Sequence, residues 1–98
     1  MMSSTNRRTE AQQIAQTVGI IVGAASCCDQ VTEERLNTVA VKLRKLVAAT
    51  ADDNVDADLA NKRFAAALEV GKTAVESGRI DPEEAEGALN DLEQQLSV

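Results

Sequence analysis

The chain has 98 residues, of which 44% are apolar, but it contains one aromatic residue and no histidine. Its size fits one domain with a modest core, and the lack of histidine removes the commonest general base and the commonest metal ligand. The net charge of −6 disfavours binding to nucleic-acid backbones, which requires clustered Lys and Arg, and attraction to anionic membranes.

Composition and apolar spacing together predict an all-α fold. One proline and five glycines leave few breaks in a chain rich in Ala, Leu and other strong helix formers. Apolar residues recur with helical spacing in four segments, and no segment alternates with the period of a strand. We therefore expect a single domain, residues 1–98, folded as a compact antiparallel bundle of about four helices near residues 6–28, 33–50, 56–77 and 82–96.

The first segment, IAQTVGIIVGAASCC, follows Arg7 and Arg8 and carries no charge. The uncharged run 11–28 contains three glutamines and a threonine early in its course, so it is too polar to predict a membrane span. A core helix is the favoured interpretation, because the large apolar residues keep to one stripe. The alternative is an export signal with a basic start and a lipoprotein-like cleavage box before Cys27.

Two glycines in this segment, Gly19 and Gly23, have the G-x-x-x-G spacing. Glycine inside a helix costs about 1 kcal/mol relative to alanine, so close packing against another helix is expected to compensate. A core of small aliphatic side chains also favours a homodimer, which buries additional apolar area. Gly19 and Gly23 are therefore the candidate self-association site, with the first helix packed against a second copy of itself.

The second and third helices have recognisable boundaries. Thr32 is the predicted N-cap of the second helix, Asp56 that of the third, and Gly78 the residue that stops the third. The stretch DDNVDAD around Asp56 resembles the opening of an EF-hand calcium loop. However, Ala57 stands where that loop requires glycine and Arg63 where it requires glutamate. A solvated acidic turn is the preferred interpretation.

The fourth helix begins with Asp81 as its predicted N-cap, followed by a proline at the first helical position. One side of this helix is predicted to carry a polar and acidic stripe that could face a basic protein surface. The alternative is the ordinary solvated face of an amphipathic helix. The residues of this candidate partner surface are Glu83, Glu86, Asn90 and Glu93.

A weak internal similarity relates the two halves of the chain. The segment that starts at Val22 resembles the segment that starts at Val70, if one residue is inserted. Each begins with Val-Gly, passes a helix end and continues into a capped acidic helix start. An old duplication of a helical hairpin would explain this likeness. Two hairpins that obey the same capping rules would also explain it, and we prefer that interpretation.

These features predict a function class rather than an activity. We expect no enzyme, cofactor or metal site, because no nucleophile with a base, phosphate-binding loop or ligand cluster is visible. We expect a cytoplasmic, non-enzymatic interaction or regulatory module of bacterial or phage type that binds a protein and not nucleic acid, for example an inhibitor that covers a basic surface. The alternative is an exported or lipid-anchored helical envelope protein whose mature chain starts near Cys27.

Overall fold

The computed structural model describes residues 9–96, and this part of the chain forms four helices and no strand. The predicted all-α bundle is confirmed. The helices are α1 (Glu10–Ala25), α2 (Glu33–Thr50), α3 (Asn54–Glu76) and α4 (Pro82–Leu96). The predicted start of the first helix, residues 6–8 with Arg7 and Arg8, lies outside the described residues.

Local capping rules set most of the helix boundaries. The Oγ1 atom of Thr32 accepts from the N–H of Arg35 at 3.2 Å, and the Oδ1 atom of Asp81 accepts from the N–H of Glu83 at 3.0 Å. Gly78 has φ +79°, the left-handed conformation that ends a helix at low cost for glycine. These three predictions are confirmed, because each depends only on residues within one turn.

The predicted start of the third helix was wrong. Asp53, not Asp56, is the N-cap of α3, and its Oδ1 atom accepts from the N–H of Asp56 at 2.8 Å. The helix therefore begins at Asn54, two residues earlier than expected. The physical reason is tertiary: Asp56 lies in the first turn with its carboxylate directed inward, toward α1.

α1 is the most buried helix in the described part of the chain. Nine of its sixteen residues are buried, against three in α2, four in α3 and three in α4. The uncharged opening segment is thus a core helix of the bundle. None of the described helices is both long and apolar enough to cross a membrane.

The helices that pack most closely, α1 and α3, run parallel. Contacts between them join Thr9 to Asp56, Gln12 to Arg63 and, further along both helices, Gly19 to Ala67. The hydrogen-bonded pairs of the two helices are separated by 44 to 51 residues in sequence, and Gly19 and Ala67 by 48. A near-constant separation requires parallel helices, whereas antiparallel helices would give a separation that falls steadily along the contact.

Consecutive helices are antiparallel, as predicted. Ile14, near the start of α1, lines one groove together with Leu46 from the end of α2 and Leu92 from the end of α4. Both neighbours therefore run against α1. Leu43 and Leu89 are fully buried and carry much of the apolar core that these helices share.

Candidate functional site

The structure places Gly19 and Gly23 inside the contact between α1 and α3. A Cβ atom added at Gly19 would lie 2.6 Å from the Cβ of Ala67, and one added at Gly23 would overlap the backbone of Leu68. Both glycines are buried within one chain. The close approach that their spacing predicted is therefore made to α3, and this face of α1 is covered without a second copy.

The glycine contacts between α1 and α3 are reciprocal. A Cβ at Gly23 would meet the carbonyl of Leu68, and a Cβ at Gly71 would meet the carbonyl of Ile20. Gly23 and Gly71 are the glycines that the internal similarity aligns, 48 residues apart, and Ile20 and Leu68 differ by the same number. α1 and α3 thus use equivalent positions at their closest approach.

The candidate partner surface on α4 is only partly open. Glu83 and Asn90 are exposed, whereas Glu86 and Glu93 are half-buried. The Arg35 guanidinium of α2 donates to Glu93 through two bonds, Nη2 to Oε1 at 2.6 Å and Nε to Oε2 at 3.2 Å. Its Nη2 atom also donates to the Oδ1 of Asn90 at 2.6 Å. Hydrogen bonds from Arg35 therefore hold the C-terminal end of the candidate partner surface against α2.

The ion pair between Arg35 and Glu93 shifts the pKa values of both side chains. Hydrogen bonding from Arg35 is the main cause that lowers the pKa of Glu93, and partial burial opposes it. The same bond raises the pKa of Arg35. Each side chain keeps 30% of its surface exposed, so a bidentate pair of this kind is worth about 0.5–1 kcal/mol. Sequence reasoning missed this pair, because the partners are 58 residues apart.

A polar cluster that sequence reasoning also missed surrounds Asp56. This residue is buried, with 6% of its surface exposed. Its Oδ1 atom accepts from Thr9 Oγ1 at 2.7 Å and from Gln12 Nε2 at 2.9 Å. Its Oδ2 atom accepts from the N–H of Asp52 at 3.0 Å. One carboxylate therefore connects the start of α1, the turn before α3 and α3 itself.

Gln12 extends this cluster to a second α3 residue. Its Oε1 atom accepts from Arg63 Nε at 3.0 Å, so both ends of the amide are used. Hydrogen bonds from Gln12, Thr9 and the Asp52 backbone, in that order, lower the pKa of Asp56, while desolvation opposes them. No local sequence pattern indicated the cluster, because Gln12 lies 44 residues from Asp56 and 51 residues from Arg63 in the sequence.

The chemistry that the described residues offer is limited. Every buried side-chain nitrogen and oxygen among them has a hydrogen-bond partner, and no three of their metal-ligating side chains come together. Cys27 and Cys28 are free thiols, both half-buried directly after α1. Comparisons with protein-family models, curated proteins and solved structures found no match to this chain.

Proposed function

We propose that this protein is a non-enzymatic interaction module that binds a basic surface of a partner protein through the N-terminal half of α4. The charge distribution of the last helix carries the proposal. Residues 80–96 contain six carboxylates and no lysine or arginine. A single-sign surface of this kind attracts and orients a partner of opposite charge.

Four of the six carboxylates lie at the N-terminal end of the helix, and a fifth, Asp91, is exposed near its C-terminal end. Asp81, Glu83 and Glu84 are exposed, and Glu86 is half-buried beside them. At the other end Arg35 neutralises Glu93 and holds α4 against α2. We infer that Arg35, Asn90 and Glu93 position the helix, while Glu83 and Glu86 contact the partner.

As part of the same proposal, the module acts in the cytoplasm and regulates its partner by occupying a surface. The exported or lipid-anchored alternative gains no support from the fold. Removal of the chain before Cys27 would remove α1, on which the other three helices pack.

The test is capture of partners from source cells by the immobilised full-length protein and by two charge-reversed variants. In the first, Glu83→Lys and Glu86→Lys reverse the charge of two of the four carboxylates at the acidic end of α4. In the matched control, Glu34→Lys and Glu76→Lys change the net charge equally at exposed positions of α2 and α3. We expect the wild type and the control to retain a basic protein that the α4 variant loses.

Salt dependence gives a second readout. Raising ionic strength from about 0.15 M to about 1 M shortens the Debye length from about 8 Å to about 3 Å, so capture by the wild type should weaken strongly. Equal capture by the α4 variant and the control, or capture that salt leaves unchanged, would count against the proposal.

A further inference from the structure

α3 carries an apolar stripe that no other part of the described chain covers. Val55, Leu59 and Val70 are 67%, 44% and 55% exposed, and Ala66 lies exposed between them. Their spacing places all four on one face of the helix, away from the side that packs on α1. Val41 of α2 is the other large apolar residue that is exposed in the described part. We name these four α3 residues the α3 stripe.

The equivalent positions of α1 show how unusual this exposure is. The 48-residue offset that aligns the two hairpins pairs Leu59 with Ala11, Ala66 with Val18 and Val70 with Val22. The α1 residues Ala11, Val18 and Val22 are 0%, 2% and 6% exposed and belong to the hydrophobic core. The same helix face is thus buried in the first hairpin and bare in the second.

We propose that the α3 stripe is a self-association surface, on which α3 of a second copy packs antiparallel across a twofold axis. The register is set by placing Leu59 opposite Val70 of the second copy. Twofold symmetry then places Val70 opposite Leu59 of the second copy, and the interface is self-complementary. This surface is separate from the α4 carboxylates, so it does not depend on the function proposed above.

The charges beside the stripe are complementary in this register. Asp58 lies within one residue of the level of Lys72 of the second copy, a difference of about 1.5 Å along the axis. Lys62 lies within two residues of the level of Glu69 of the second copy, or about 3 Å. Within the described part of the chain these four side chains form no ion pair. Antiparallel pairing would give each of them a partner of opposite charge.

The surface beside the stripe also has a place for an incoming side chain. Ile20 of α1 joins Ala66 and Val70 in lining a shallow depression of about 100 Å³ between α1 and α3. In an antiparallel pair, Leu59 of the second copy lies next to Val70, on the side of the stripe that faces α1. This depression is the position that its side chain would fill.

Sedimentation equilibrium of the full-length protein, from micromolar to millimolar concentration, tests the proposal. We expect the wild type to shift from monomer to dimer as concentration rises. Val70→Gln should raise the dissociation constant at least about tenfold, because a symmetric dimer carries the substitution twice. Val41→Gln is the matched control: it alters an equally exposed valine on α2 and should leave the constant unchanged.

A charge exchange tests the orientation of the pair without changing an apolar residue. Asp58→Lys and Lys72→Glu should each weaken the dimer, since each puts like charges at one level. The double variant restores opposite charges across the twofold axis and should recover dimerisation. Circular dichroism of each variant monitors helix content, so that loss of fold is recognised.

Three outcomes would overturn the proposal. The first is a wild type that stays monomeric over the whole concentration range. The second is a dimer that responds equally to Val70→Gln and Val41→Gln. The third is a double charge variant that dimerises no better than the two single variants, which would exclude the antiparallel register.

Discussion

Asp56 connects α1 to α3 at the polar end of their contact, where both helices begin. Its carboxylate accepts from Thr9, Gln12 and the backbone of Asp52, and these bonds lower its pKa below the ordinary value of 3.8. In the acid range the unfolded chain therefore binds more protons than the folded chain. This linkage makes the free energy of unfolding fall as the pH drops from about 4 through the lower pKa that Asp56 has in the folded state.

We expect Asp56→Asn to lower the stability of the protein at neutral pH and to flatten its decline in acid. The amide nitrogen cannot accept the bonds that the lost oxygen accepted, so a buried donor is left without a partner. The measurement is urea unfolding at a series of pH values between neutral and the acid limit of folding. Glu93, whose pKa is also lowered, remains in the variant and keeps part of the acid slope.

Asp91→Asn is the matched control for this prediction. Asp91 lies on α4 and is exposed, and its side chain makes no hydrogen bond within the described part of the chain. Its replacement should leave both the neutral stability and the acid slope close to those of the wild type. Identical pH profiles for the two variants would show that the Asp56 cluster contributes nothing to the linkage.

Among the secondary-structure elements, the glycine contact between α1 and α3 has the clearest energetic consequence. We expect Gly23→Ala to destabilise the protein by about 1–3 kcal/mol, because the new methyl group overlaps the backbone of Leu68 and overpacking has this cost. Gly87→Ala should instead stabilise α4 by up to about 1 kcal/mol, since open space surrounds Gly87 and alanine favours helix. Thermal and urea unfolding measure both changes, and equal effects of the two substitutions would contradict the packing.

The elements also show how far the sequence could be interpreted without the structure. Thr32, Asp81 and Gly78 were predicted correctly, because capping depends on atoms within one helical turn. Asp53 and Asp56 are equally good caps by that local rule, and the choice between them is made by α1, which draws the Asp56 carboxylate inward. The parallel contact of α1 and α3 was not predicted either, because it joins residues 44 to 51 positions apart in the sequence, beyond the reach of a local rule.

The candidate sites were predictable to a smaller extent. The candidate partner surface on α4 stays a prediction, and two of its residues, Asn90 and Glu93, bind Arg35 of α2 in a way that no local pattern indicates. Gly19 and Gly23 do mark a close helix contact, as predicted, yet the partner helix is α3 of the same chain. Spacing identifies a helix face that needs a neighbour and leaves open which neighbour it receives.

At the scale of the whole molecule, α1 holds the bundle together. It packs against α3 along most of its length, and it shares the hydrophobic core and one groove with α2 and α4. The remaining helices bury few residues of their own, three or four each. A chain that lost α1 would leave the apolar faces of all three exposed, and burial of such faces is the main term that favours folding.

We therefore expect a chain that starts at Cys27 to lose cooperative unfolding, and a chain that lacks only residues 1–8 to keep it. The measurement is thermal unfolding followed by far-UV circular dichroism, with hydrogen exchange to report protection in α3 and α4. The shorter deletion is the control, because it leaves every described helix intact. A Cys27 chain with native helix content and a sharp transition would contradict the central role of α1, and would make an exported form of this protein physically feasible. Loss of the transition would mean that the uncharged opening segment must stay attached for the protein to fold.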